Sequence, residues 1–246
     1  MKRFSWEIRF GLSLIVLSAF LYIVHYTIFR DIRHISLWSI TSLAFLPISV
    51  LFVTLIINRL LRDREKRARL EKMNMVIGAF FSEVGTDLLI YFSDFDPKLD
   101  NIRKNLIVTN NWSEQEFSNV SKRLKNYNYS VEIQKVDLVH LRSFLIEKRA
   151  FLVRLLENPI LLEHESFTEL LRAVFHLTEE LESRKDVKKL PDTDYAHLAG
   201  DIKRAYILLV YEWLDYMKYL KDNYPYLFSL AMRTNPFDQN ASPIVT

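Results

Sequence analysis

The chain has 246 residues and no cysteine. That removes disulfides, thiol redox chemistry, thiolate metal sites, prenylation and palmitoylation, and it suits a reducing compartment. Glycine is nearly as scarce, with four residues, which excludes a glycine-rich loop for cradling phosphate. A basic nucleic-acid footprint is missing as well. Residues 73–246 carry 21 Lys/Arg against 25 Asp/Glu, so the net charge of +3 comes from the first 72 residues. Nucleic acid is therefore not expected as a partner. The longest absence is of charge itself, since Phe10–Phe29 and Ile35–Ile57 contain no Asp, Glu, Lys or Arg.

Each uncharged run is long enough to cross the hydrocarbon of a bilayer, which takes about 20 residues at ~1.5 Å per residue. Lys2, Arg3 and Arg9 precede the first run, as in a signal peptide. That run, however, exceeds the usual ~7–15 residues and no small-x-small cleavage site follows it. Pro47 lies inside the second run, where a membrane helix tolerates a kink because neighbouring groups satisfy the freed carbonyl. Only Arg30-Asp-Ile-Arg-His34 joins the runs, so residues 1–61 are expected to form a tight antiparallel transmembrane hairpin. Lys and Arg number three before the first run, two between the runs and seven in residues 59–72. By the positive-inside rule both termini are cytoplasmic. Trp6 would then lie at the inner interface and Tyr26 and Trp38 at the outer one, with His25 beside that outer aromatic cluster. The four Asn-x-Ser matches at Asn111, Asn119, Asn128 and Asn240 carry no meaning on the cytoplasmic side.

The spans hold no carboxylate, Lys or Arg, which argues against a proton relay. Ser42 and Ser49 are read as helix–helix contacts within the membrane, with pore lining in an oligomer as the alternative. Arg59, Arg62, Arg64, Lys66, Arg67 and Arg69 form a basic collar directly after the second span. It faces anionic lipid headgroups at up to about 1 kcal/mol per cation, and the same charges act as the topology signal.

Past the collar, residues 62–97 continue as an amphipathic helix with Leu70, Met73, Ile77, Phe81, Val84, Leu88 and Tyr91 on one face. Gly78, Ser82 and Gly85 lie on a neighbouring strip, where either another helix approaches closely or the helix kinks. Pro97 ends this element. Residues 98–246 are expected to be a cytoplasmic helical domain with an irregular tail. Ser113-Glu-Gln-Glu116 is a capping box, and Ser130–Val136 is a short strand or an extended linker. Asp137 caps a helix to Glu157, another spans Ser166–Ser183, and the last long one runs from Asp192 to about Asn223. Each of these stripes needs a partner to bury it. The fold class is all-α: a two-helix membrane hairpin followed by a helical bundle. Tyr224–Met232 is too apolar for a solvated tail and packs on the bundle or on a neighbouring subunit.

Two pairs at i,i+4 spacing, His176/Glu180 and His197/Asp201, each have a geometry that can face one ion. Neither a Glu-x-x-His nor a His-Glu-x-x-His motif accompanies them, so both are read as helix-stabilising pairs. Glu163-His164-Glu165 is read as a solvated connection, and Tyr206, Tyr211, Tyr216 and Tyr219 as packing aromatics. No catalytic residue, metal ligand or cofactor is assigned.

Three stretches carry a resemblance. They are Phe80-Phe-Ser-Glu-Val-Gly-Thr-Asp-Leu-Leu-Ile-Tyr-Phe-Ser-Asp-Phe-Asp-Pro97, Leu190-Pro-Asp-Thr-Asp-Tyr-Ala-His-Leu-Ala-Gly-Asp-Ile-Lys-Arg204 and Tyr224-Pro-Tyr-Leu-Phe-Ser-Leu-Ala-Met-Arg-Thr-Asn-Pro-Phe237. Here the chain resembles uncharacterised bacterial two-span membrane proteins. The resemblance implies an inner-membrane location and brings no activity, cofactor or site. The function expected is a non-enzymatic adaptor, scaffold or signalling subunit acting on a cytoplasmic protein partner or on its own copies. A homo-oligomeric channel or transport accessory is the alternative, and a membrane-tethered enzyme the second.

Overall fold

The computed structural model describes residues 6–161 and 164–244. Lys2, Arg3 and Glu163 lie outside the described residues, as do the side chains of Trp6 and Arg9. Among the described residues every regular element is helical, so the fold is all-α. The chain divides into two compact units, residues 1–66 and 67–246.

The first unit holds α1 (Trp6–Phe29) and the start of α2 (Ile32–Phe80). Between them Arg30 takes a left-handed backbone with φ 48°. Asp31 Oδ1 accepts the N–H groups of Arg33 at 3.0 Å and His34 at 3.1 Å, which caps the start of α2. That helix includes Pro47 and the collar among its 49 residues. No glycine occurs in it before Gly78, and residues 59–72 are nearly all strong helix formers, so nothing local ends it there. Ser49 Oγ donates to Phe45 O at 3.1 Å, returning a hydroxyl to its own helix near the proline.

In the second unit α2 continues into a wide, π-helical turn over Phe81–Gly85, and then α3 (Thr86–Ser93). The Thr86 N–H donates to Phe81 O across five residues, which marks the wider turn. The short α4 (Asp100–Arg103) and α5 (Glu114–Lys125) follow, the latter opened by Ser113 with both capping-box bonds formed. Three long helices complete the bundle: α6 (Leu138–Leu156), α7 (Glu165–Ser183) and α8 (Asp192–Asn223). Asp137 Oδ1 caps α6 by accepting the N–H groups of Val139 and His140. In α7, His164 Nδ1 does the same for Phe167 at 3.2 Å. Where a strand was one alternative, residues 133–135 form a single 3₁₀ turn. The Glu132 N–H is spent on Phe95 O at 3.0 Å, so no ladder partner remains for it.

One continuous core joins these elements. Phe80 meets Phe167 edge to face at 5.3 Å, Phe92 meets Tyr206 at 6.3 Å, and Phe81 stacks on Tyr216 at 5.3 Å. Phe81, Val84, Leu88, Leu89 and Phe92 therefore belong to the bundle's interior, while Ser82, Glu83, Asp87 and Ile90 are exposed. The final helix, α9 (Pro225–Arg233), buries Phe228 against the core. The irregular tail folds back on it, because Phe237 packs against Trp213 at 4.9 Å and the buried Asn235 donates to Leu106 O at 2.8 Å.

Candidate functional site

In the hairpin, Ser18, Tyr22, His25, His34, Trp38 and Ser42 line a cleft of about 510 Å³. His25 and His34 stack with ring centroids 6.1 Å apart, so the aromatic cluster around His25 contains a second histidine. Ser42 faces this cleft from α2 while Ser49 bonds to its own backbone. The collar residues Arg59, Arg62, Arg64, Lys66, Arg67 and Arg69 are all exposed on α2.

The glycine strip separates into three environments. A Cβ placed at Gly78 would fall 2.7 Å from Tyr216 Oη on α8, so the tyrosine side chain of that helix reaches the glycine. At Gly85 a Cβ would meet Phe80 and Phe81 of its own element, at 2.8 and 2.7 Å. Ser82 is exposed.

A polar cluster forms where α7 and α8 lie side by side, a pairing in which the i,i+4 residues of the two helices meet. His176 and Glu180 are one turn apart on α7, and His197 and Asp201 are one turn apart on α8. The Arg184–Pro191 connection turns the chain back, so the pairs oppose each other head to tail. His176 Nε2 lies 3.8 Å from Glu180 Oε1 and 3.7 Å from Asp201 Oδ2. His197 Nε2 lies 3.6 Å from Glu180 Oε2 and 3.3 Å from Asp201 Oδ2. Ligand atoms of His176, Glu180 and His197 all fall within 4.8 Å of one another. Asp201 is the buried member, with its side chain 4% exposed.

Arginines flank both carboxylates. Arg184 Nη1 lies 2.6 Å from Glu180 Oε2, and its Nη2 and Nε bond Asp194 at 2.6 and 2.8 Å. The Arg184 hydrogen bonds hold the carboxyls of Glu180 and Asp194 below the ordinary range. Arg204 Nη1 lies 3.3 Å from Asp201 Oδ1. Each pair is legible in the sequence by its spacing, but their convergence is a tertiary fact.

Elsewhere the acid–base residues serve the fold. His164 is the cap of α7, and burial pushes the Glu212 and Asp215 carboxyls up. Burial likewise keeps the phenols of Tyr206 and Tyr129 neutral far above the ordinary tyrosine range. These rings meet at 5.3 Å and pack the core.

Comparison with known proteins divides the chain at the same place as its packing does. The family described as "Uncharacterized protein MJ1433, C-terminal helical domain" matches residues 69–233, and "MJ1433, N-terminal helical domain" matches residues 2–61. A relative, "Uncharacterized protein MJ1433" of Methanocaldococcus jannaschii, is 47% identical over 231 residues, covering 94% of this chain and 93% of the relative. No solved structure matches.

Proposed function

The chain belongs to the MJ1433 family of helical proteins, and we propose that it is a non-enzymatic membrane-anchored adaptor or signalling subunit whose helical bundle works in the cytoplasm. The observation that carries this is the surface of the hairpin. Two helices are long and apolar enough to span a bilayer, and neither apolar window is buried against protein. Contiguous apolar surface of that extent is foreign to water and suited to lipid. The exposed collar from Arg59 to Arg69 supports a cytoplasmic second unit and contact with anionic headgroups. We assign the hairpin to the cell membrane, the inner one where there are two.

The surface through which the bundle acts is an apolar groove of about 460 Å³ lined by Met75, Tyr219, Tyr224, Tyr226 and Leu227. Met75 is 70% and Tyr226 71% exposed, and Leu230 extends the same apolar face of α9. Aromatic residues of this kind anchor protein interfaces. A second copy of the chain brings the same apolar face to a twofold contact.

The mass of the detergent-solubilised particle tests this, with a dimer expected and Tyr226→Lys shifting it to monomer. A wild-type protein that stays monomeric at every concentration refutes self-association through this face. A ring that conducts ions in reconstituted bilayers would replace the adaptor by a channel.

A further inference from the structure

We infer that His176, Glu180, His197 and Asp201 bind one divalent transition-metal ion of the zinc class between α7 and α8. The inference concerns the second unit alone and does not depend on the membrane reading. Donor types come first: two imidazoles and two carboxylates suit zinc and its neighbours, whereas magnesium and calcium favour oxygen donors alone.

Spacing comes next. Zinc bonds nitrogen and oxygen at ~2.0–2.2 Å, so donor atoms around a tetrahedral ion stand roughly 3.3–3.5 Å apart. The four imidazole–carboxylate separations here are 3.3, 3.6, 3.7 and 3.8 Å. The His176, Glu180 and His197 donors spread over as much as 4.8 Å, so closing the set around an ion draws the partly exposed side chains together by up to about 1.3 Å. His176 and His197 are 45% and 51% exposed, so an ion reaches the site from solvent.

Asp201 supplies the independent sign. Its Oδ2 is buried and, among the described residues, has no hydrogen-bond partner, although both imidazole Nε2 atoms face it. A buried carboxylate oxygen left in that state is costly, and a cation is what would satisfy it. Ion pairing to two imidazolium rings is the competing account. It requires two like charges on nitrogens no more than 4.8 Å apart. A single dication satisfies both carboxylates while the rings stay neutral.

The arginines orient the site. Arg204 takes the other oxygen of Asp201, leaving Oδ2 directed at both histidines, while Glu180 turns Oε1 to His176 and shares Oε2 between Arg184 and His197. Outer partners of this kind fix ligating carboxylates. Their positive charge also lowers affinity for a dication, so the test is run at micromolar metal. An ion here joins the end of α7 to the start of α8.

The experiment uses untagged full-length protein in detergent, stripped with a chelator, equilibrated with zinc chloride, desalted and subjected to elemental analysis and thermal melting. One zinc per chain and a higher melting temperature are expected. His176→Ala and His197→Ala should each lose the ion, at least tenfold weaker in binding, while their metal-free melting temperatures match the wild type. His140→Ala, on another face, should keep it. His176→Gln and His197→Gln serve where an alanine variant does not fold. Background zinc in the wild type overturns the inference, and so does equal binding in the double histidine variant.

Discussion

Gly78→Ala isolates a close contact between α2 and the Tyr216 side chain of α8. The added methyl would lie 2.7 Å from Tyr216 Oη, with Cζ at 3.4 Å and Cε2 at 3.6 Å. Tyr216 is held in place because its ring stacks on Phe81 at 5.3 Å with an interplanar angle of 11°. Overpacking of this kind costs about 1–3 kcal/mol. Replacing glycine inside a helix returns about 1 kcal/mol of propensity. The net is a loss of about 0–2 kcal/mol, at about 2–4 °C in melting temperature per kcal/mol for a unit of this size. Tyr216→Phe deletes the offending oxygen and leaves Cζ in ordinary contact. In that background Gly78→Ala should become stabilising, by up to about 1 kcal/mol. Thermal melting of the four proteins of this cycle, followed by circular dichroism, gives the coupling directly. Equal shifts from Gly78→Ala in both backgrounds would refute the close approach.

Further outcomes follow from buried and paired polar groups. Asn235→Ala removes the donor to Leu106 O and the acceptor of the Phe237 N–H. It should cost about 1–3 kcal/mol, and limited proteolysis should cut the released tail after Arg233 before the bundle unfolds. The Glu212 carboxyl is raised by burial, so the folded state holds its proton more tightly than the unfolded chain. Its contribution to stability is full below the unfolded value near 4.5 and is lost as pH rises through the higher folded value. Glu212→Gln should flatten that decline in chemical denaturation measured from acid to neutral pH. Glu180 and Asp194 run the other way, because Arg184 lowers both. Their contribution is present above the unfolded carboxylate values and lost as pH falls through the folded ones. Arg184→Ala should therefore shrink the loss of stability on acidification, modestly because these groups are partly exposed.

Elements set by local chemistry were legible in the sequence. The capping residues Ser113 and Asp137 fix where α5 and α6 begin, and the stripe Phe167, Leu170, Leu171, Val174 and Leu177 is buried as its spacing requires. Features set by tertiary packing were not. The wide turn at Phe81–Gly85 changes the phase of the helix between Gly78 and Gly85, so one strip on a regular helix becomes three separate environments. His164 sits in a charged connection, yet its ring nitrogen caps α7. The tail is legible only as irregular, yet Asn235 and Phe237 are almost fully buried in it. At the polar cluster, spacing placed each histidine one turn from a carboxylate. Only the pairing of α7 with α8 brings His176 to Asp201 and His197 to Glu180.

The absence of cysteine makes the central claim directly measurable, since any introduced thiol is the sole one in the chain. Arg33→Cys, exposed at the start of α2, and Ser242→Cys, in the exposed tail, report opposite sides of a membrane hairpin. A membrane-impermeant maleimide should label Arg33→Cys in intact cells and Ser242→Cys only after permeabilisation. Labelling of Ser242→Cys in intact cells would contradict the account.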